Sequence, residues 1–94
     1  MQNIGTLKPS VYSNSTGYSI NKYGQVVGSS DSTDTTVTQH AFIYSASTGI
    51  LDLNTLLPSN SGWVLWEARG INDKGQIVGT GIINGLTHAF LISP

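Results

Sequence analysis

The side chains best equipped for chemistry lie within seven residues of one another: the indoles of Trp63 and Trp66, the carboxylate of Glu67 and the guanidinium of Arg69. An earlier stretch of the chain carries Tyr12 and Tyr18. Aromatic rings beside a carboxylate and a guanidinium suit a glycan or another small polar ligand, held by stacking and bidentate hydrogen bonds. The plainer alternative is structural. Trp rings also fill joints between packed elements, and Glu67 and Arg69 then simply pair.

His40 and His88 form a second candidate set. Each opens a repeated block, His40-Ala41-Phe42-Ile43 and His88-Ala89-Phe90-Leu91. Zinc accepts imidazole and carboxylate ligands and turns bound water into hydroxide, so the two histidines with Glu67 would make a small hydrolase. Forty-eight residues separate them, however, which is no metal motif. A histidine repeated at a strand start reads better as a hydrogen-bonding staple, and no metal or cofactor is assigned. Asp31 and Asp34 could hold calcium weakly, but they sit in a Ser/Thr-rich stretch that reads as a solvated loop. Asn14-Ser15-Thr16 fits a glycosylation pattern. Gly79-Thr80-Gly81 is no phosphate loop, since no helical pattern follows it. No catalytic residue can be named.

What must position these groups is a repeat. Ile20-Asn21-Lys22-Tyr23-Gly24-Gln25-Val26-Val27-Gly28 aligns with Ile71-Asn72-Asp73-Lys74-Gly75-Gln76-Ile77-Val78-Gly79, with six of nine positions identical. The His-Ala-Phe blocks follow in register, and Thr6-Leu7-Lys8-Pro9-Ser10 matches Thr55-Leu56-Leu57-Pro58-Ser59 upstream. Three blocks in one order divide the chain into units 1–49 and 50–94.

Each unit reads as four short strands. The first passes through Ser19 and Ile20 and turns at Asn21–Gly24 into the second, Gln25–Gly28; the third is His40–Ser45 and the fourth Ile50–Leu53. No stretch shows capped helical periodicity, so helix is not expected. Val26-Val27, Ala41-Phe42-Ile43-Tyr44 and Ala89-Phe90-Leu91-Ile92 are continuous apolar runs, the mark of a sheet covered on both faces. Two sheets can cover only one face of each other. At about 25 cal/mol per Å², leaving the outer faces wet costs many kcal/mol.

The expectation is therefore an all-β fold of two four-stranded antiparallel propeller blades per chain, with the ring closed by homo-oligomerisation. Six blades from three chains are favoured, because four wedge steeply and eight leave a wide channel. The chain begins in a fourth-strand block, Met1–Leu7, and ends after a third strand, so strand exchange between chains is expected. The loops after the second and fourth strands differ between units and open on one face. Function tends to reside in variable loops on a rigid scaffold, which places Trp63, Trp66, Glu67, Arg69, Tyr18, His40 and His88 together there.

These blocks, with Ile4-Gly5-Thr6-Leu7, resemble the HAF repeat, named for its His-Ala-Phe triplet. The resemblance implies a bacterial, extracellular, propeller-like repeat and supplies no catalytic residue.

Composition narrows the function classes. Charged residues are 10% of the 94 and the net charge is −1, with Lys8, Lys22, Arg69 and Lys74 dispersed, so no basic patch marks a nucleic-acid binder. The polar surface must come from Ser, Thr, Asn and Gly, as in many extracellular β proteins. The absence of cysteine excludes disulfides, thiolate metal sites and a thiol nucleophile. No apolar run is long enough to span a membrane and no export signal is present. The reading that results is a self-assembling binding or scaffold module. The alternative is a hydrolase with a His/Glu site near the ring centre.

Overall fold

The asparagine–glycine turns set the register of both halves. In a computed structural model that describes residues 14–32, 38–57 and 61–93, Asn21 Oδ1 accepts from the backbone N–H groups of Tyr23 and Gln25 at 3.0 and 3.1 Å. Asn72 does the same for Lys74 and Gln76, both at 3.0 Å. Gly24 and Gly75 close these turns at φ +77° and +81°, a region that penalises a Cβ.

Among the described residues, strands β1 (Ser15–Ile20), β2 (Val26–Asp31), β3 (Gln39–Ser45) and β4 (Gly49–Asp52) form one antiparallel sheet in sequential order. β5 (Trp63–Ile71), β6 (Ile77–Ile83) and β7 (Leu86–Ile92) form a second. The fold is all-β, as expected, with two antiparallel sheets of four and three strands rather than four and four. Residues Leu53–Leu56, where the fourth strand was expected to end, turn into a short 3-10 segment because Asp52 caps it, accepting from the Asn54 N–H at 2.9 Å. None of the described helical residues forms a segment long and apolar enough to cross a membrane. Tyr12, Asp34 and the block Met1–Leu7 lie outside the described residues.

The first strand of each sheet is longer than its sequence pattern suggests. β1 carries a bulge at Tyr18, and β5 carries bulges at Trp66 and Arg69. Each bulge breaks the period-two alternation that would have shown the strand. Tyr18 and Arg69 are the same repeat position, so this irregularity is built into the unit. Glycine opposite the bulge permits it: a Cβ on Gly28 would strike the Thr16 carbonyl oxygen, and one on Gly79 the Glu67 carbonyl oxygen.

The core lies between the sheets. Residues paired across strands share a face, which puts Ser19, Val27, Ile43 and Leu51 on one side of the first sheet together with Ala41. Ile20, Val26, Tyr44 and Ile50 lie on the other side with Phe42. In the second sheet, Ile71, Ile77, Ile92, Ala68, Phe90 and Leu65 share one face, and Gly70, Val78 and Leu91 the opposite one. Val27, Ala41 and Leu53 pack with Leu65, Ala68 and Ile77, joined by Ile43, Ile71, Phe90 and Ile92. The Val27 face of sheet one therefore meets the Ile77 face of sheet two. Not every apolar run is covered on both sides: on the outer face of sheet two, Val78 is 47% and Leu91 63% exposed.

Candidate functional site

β1 and β5 run past one another at the joint between the sheets, where the Ile71 N–H donates to Ser19 Oγ at 3.3 Å. Their bulges bring three predicted site residues together. Arg69 Cζ lies 4.6 Å from the centroid of the Tyr18 ring, a cation–π distance. Its Nε donates to Glu67 Oε1 at 3.0 Å. Glu67 is buried, 6% exposed, whereas the Arg69 side chain is 59% exposed. The hydrogen bond that Arg69 donates to Glu67, with the negative charge of that carboxylate, raises the Arg69 pKa above its ordinary value, and a guanidinium is charged at any working pH. Among the described residues Arg69 commits only Nε to a partner. Its terminal nitrogens, backed by an aromatic ring, are shaped for a planar acceptor such as a carboxylate, a phosphate or a vicinal sugar diol.

The remaining candidates do not join this cluster. Trp63, Trp66, Glu67 and Arg69 occupy one strand instead of one loop, so at about 3.3 Å per residue Trp63 and Arg69 stand roughly 15–20 Å apart. A ligand touching both would have to be extended along the strand. Trp63 packs on the core and lines an apolar cavity of about 250 Å³ with Leu57, Leu65, Phe90 and Ile92. Trp66 is half-buried at its own bulge.

His40 acts as a staple. Its Nδ1 lies 2.6 Å from Asp52 Oδ2, tying β3 to the end of β4. Asp52 Oδ1 accepts from Asn54 Nδ2 at 2.9 Å. Asn54 then reaches the second sheet, accepting from Leu65 N–H at 2.7 Å and donating to the Leu65 carbonyl at 2.9 Å. One side-chain amide imitates a strand partner. His88, the repeat equivalent of His40, is exposed on β7. The structure does not bring His40, His88 and Glu67 together, and no group of three metal-ligating side chains occurs among the described residues.

Asp52 and Asn54 were not legible as a network because the repeat does not preserve them: Asn3 and Gly5 hold the equivalent places. The turn end carries more cross-sheet polar contact than its sequence advertised. Asn21 Nδ2 donates to the Asn72 carbonyl at 3.0 Å, and Lys22 N–H to Asp73 Oδ1 at 2.9 Å. Beside them opens a cleft of about 420 Å³ lined by Tyr23, Gln25, Ser45, Ser47, Asp73 and Lys74. It lies at the end where the two units have turns of equal length, opposite the variable loops.

Residues 5–89 match the family described as "Protein of unknown function (DUF3466)". No curated protein matches the chain. No solved structure matches it either. The family match overturns the HAF-repeat resemblance, since the Ile20–Gly28 and Ile71–Gly79 blocks that carried it lie within the matched span. The triplets misled for a physical reason. Phe42 pairs across from Gly28 and Phe90 from Gly79, and a large ring opposite a bare backbone is a packing solution that any tightly bulged sheet can reach. The bacterial source and extracellular setting implied by that resemblance lose its support.

Proposed function

The chain belongs to the DUF3466 family, and from that premise and the way its sheets stack we propose that it is a self-assembling β-propeller module that serves in binding or as a scaffold. Units 1–49 and 50–94 are its blades. The observation that carries the reading is the sense of stacking. Sheet two uses its Ile77–Phe90 face against sheet one, and its own Val78–Leu91 face, equivalent to the buried Val27–Ile43 face, is left uncovered. Every blade then has one giving and one receiving face, which is how blades follow one another around a ring. Three chains supply six blades.

A further support is the outer edge of β7, which has no neighbour among the described strands, whereas its equivalent β3 pairs with β4. A strand from a further copy laid along that edge completes the blade beside the apolar cavity at Trp63. The low charge and the Ser, Thr, Asn and Gly surface support an extracellular setting. Ligand binding falls to the exposed guanidinium of Arg69 over Tyr18, with a glycan or another small polar molecule as ligand. Glu67 is spoken for by Arg69, which favours binding over the hydrolase alternative.

Multi-angle light scattering of the 94-residue chain tests the assembly. The expected mass is three times that of the 10.0 kDa chain. A ring of two or four chains corrects the count, and a folded monomer across all concentrations defeats the proposal.

A further inference from the structure

Resting on the assembly reading, the geometry assigns the contact between chains: we infer that the Gly70–Val78–Leu91 face of one chain seats on the Ile20–Val26–Tyr44–Ile50 row of a second copy, head to tail. The argument is repeat equivalence. Within one chain, the row holding Ile71, Ile77 and Ile92 packs against the face holding Ser19, Val27 and Ile43. Moving one unit along the sequence converts the first row into Ile20, Val26 and Tyr44, and the second face into Gly70, Val78 and Leu91. The second surface is exposed at Val78 and Leu91 in the single chain, and the first is exposed at Ile20 and half-buried at Val26, Tyr44 and Ile50. Ile20 is 65% exposed, Val78 47% and Leu91 63%. Further along the same side of sheet one, Phe42 and His40 are buried, so the open part is the row next to the turns.

The shapes are complementary. Gly70 stands where the first unit has Ser19, and the missing side chain leaves a groove of about 340 Å³ lined by Gly70, Ile71, Asn72, Gln76, Val78 and Leu91. Its internal counterpart lies beside Ser19, where the Ile71 backbone docks. Ile20, the counterpart of Ile71, is the projecting residue that fills the groove. Two polar features repeat as well. Asn21 Nδ2 donates to Gln25 Oε1 and to the carbonyl of Asn72; Asn72 Nδ2 donates to Gln76 Oε1 and reaches the Asn21 carbonyl of the second copy with its other hydrogen. Arg69, already stacked on its own Tyr18, receives the second copy's Tyr18 on its far side. The joint is heterologous, the type that closes into rings.

Complementation distinguishes this joint from any other. Val78→Asp and Ile20→Asp place a charge on side chains that are 47% and 65% exposed, so each variant keeps its strand signal in circular dichroism; Leu91→Lys and Ile20→Lys serve as a second pair where an aspartate lowers that signal. Each variant alone should be monomeric by light scattering, because every pairing has one charged face. Mixed in equal amounts, they should form a heterodimer of twice the chain mass through the one unaltered pair of faces. Self-association of either variant, or a mixture that remains monomeric while wild-type chain assembles, overturns the head-to-tail joint but not assembly. A monomeric wild type overturns both.

Discussion

Arg69 stacks its guanidinium on the ring of Tyr18, 4.6 Å from the centroid, although the two residues hold the same position in successive copies of one repeat. Equivalent positions touch because the two sheets stack in the same sense, with β1, the first strand of one, beside β5, the first strand of the other. The divergence of Tyr to Arg converts a self-contact into a cation–π pair. It also places a permanent positive charge at an otherwise weakly charged joint.

The stack predicts energetic coupling. In a double-mutant cycle, Tyr18→Ala and Arg69→Ala should lower the urea midpoint by less in combination than the sum of their separate effects. Fully additive midpoints would show that the rings and guanidinium do not meet in solution.

Turn geometry gives a second prediction. Gly24→Val or Gly75→Val should cost about 1–3 kcal/mol of stability, because a β-branched residue resists φ near +80°. The space around Gly24 is open, so strain and not collision is the cause. Gly79→Ala separates the two effects. That site needs no positive φ, yet the added Cβ meets the Glu67 carbonyl and lies 2.9 Å from Phe90 Cε2, so the variant should melt lower as well. Chemical denaturation of the three variants measures both effects. An unchanged Gly79→Ala midpoint would show that the bulge opposite it can relax.

How much of this was legible beforehand follows from which signals are local. The hairpin turns were, since Asn21, Gly24, Asn72 and Gly75 act within five residues. The apolar runs gave β2, β3 and the stacked-sheet core around Val27 and Ala41. The full length of β1 and β5 was hidden, because bulges at Tyr18, Trp66 and Arg69 shift the alternation that reveals a strand. That one omission also scattered the site: Trp63 and Arg69 look adjacent on a loop, and a strand holds them apart. The pairing of Glu67 with Arg69 survived, since two residues flanking a bulge can point the same way. The bridge from Asp52 through Asn54 to Leu65 spans two sheets, and no short window of sequence contains it.

That bridge carries the third prediction. Asn54→Ala removes both hydrogen bonds to the Leu65 backbone and leaves those groups, on a buried residue, without a partner. The loss should be about 2–3 kcal/mol, at roughly 1 kcal/mol per bond plus the cost of unsatisfied groups. Asn54→Asp keeps the acceptor for the Leu65 N–H but loses the donor, and places a second carboxylate beside Asp52. It should be destabilised at neutral pH and less so in acid, read as thermal midpoints across a pH series. Midpoints of both variants equal to wild type would mean that the sheets hold together without this amide.

The last prediction divides the original candidate site into two. Trp63 packs on the core cluster that includes Leu65, so Trp63→Ala should act as a core truncation and cost about 3 kcal/mol, visible in denaturant melts. Arg69→Ala removes a largely exposed side chain, so it should lower the melt through the cation lost from buried Glu67 and not through lost packing. Glu67→Gln with Arg69→Ala should then be more stable than Arg69→Ala alone, because the neutral amide needs no counter-charge. In a binding screen against neutral and acidic oligosaccharides, the Arg69→Ala variants should lose whatever the wild type retains, and Trp63→Ala should lose it only in proportion to unfolded protein. If Trp63→Ala instead stays folded and abolishes binding while Arg69→Ala binds normally, the ligand surface lies at the loop end of β5, and the cluster at Tyr18 is a joint and nothing more.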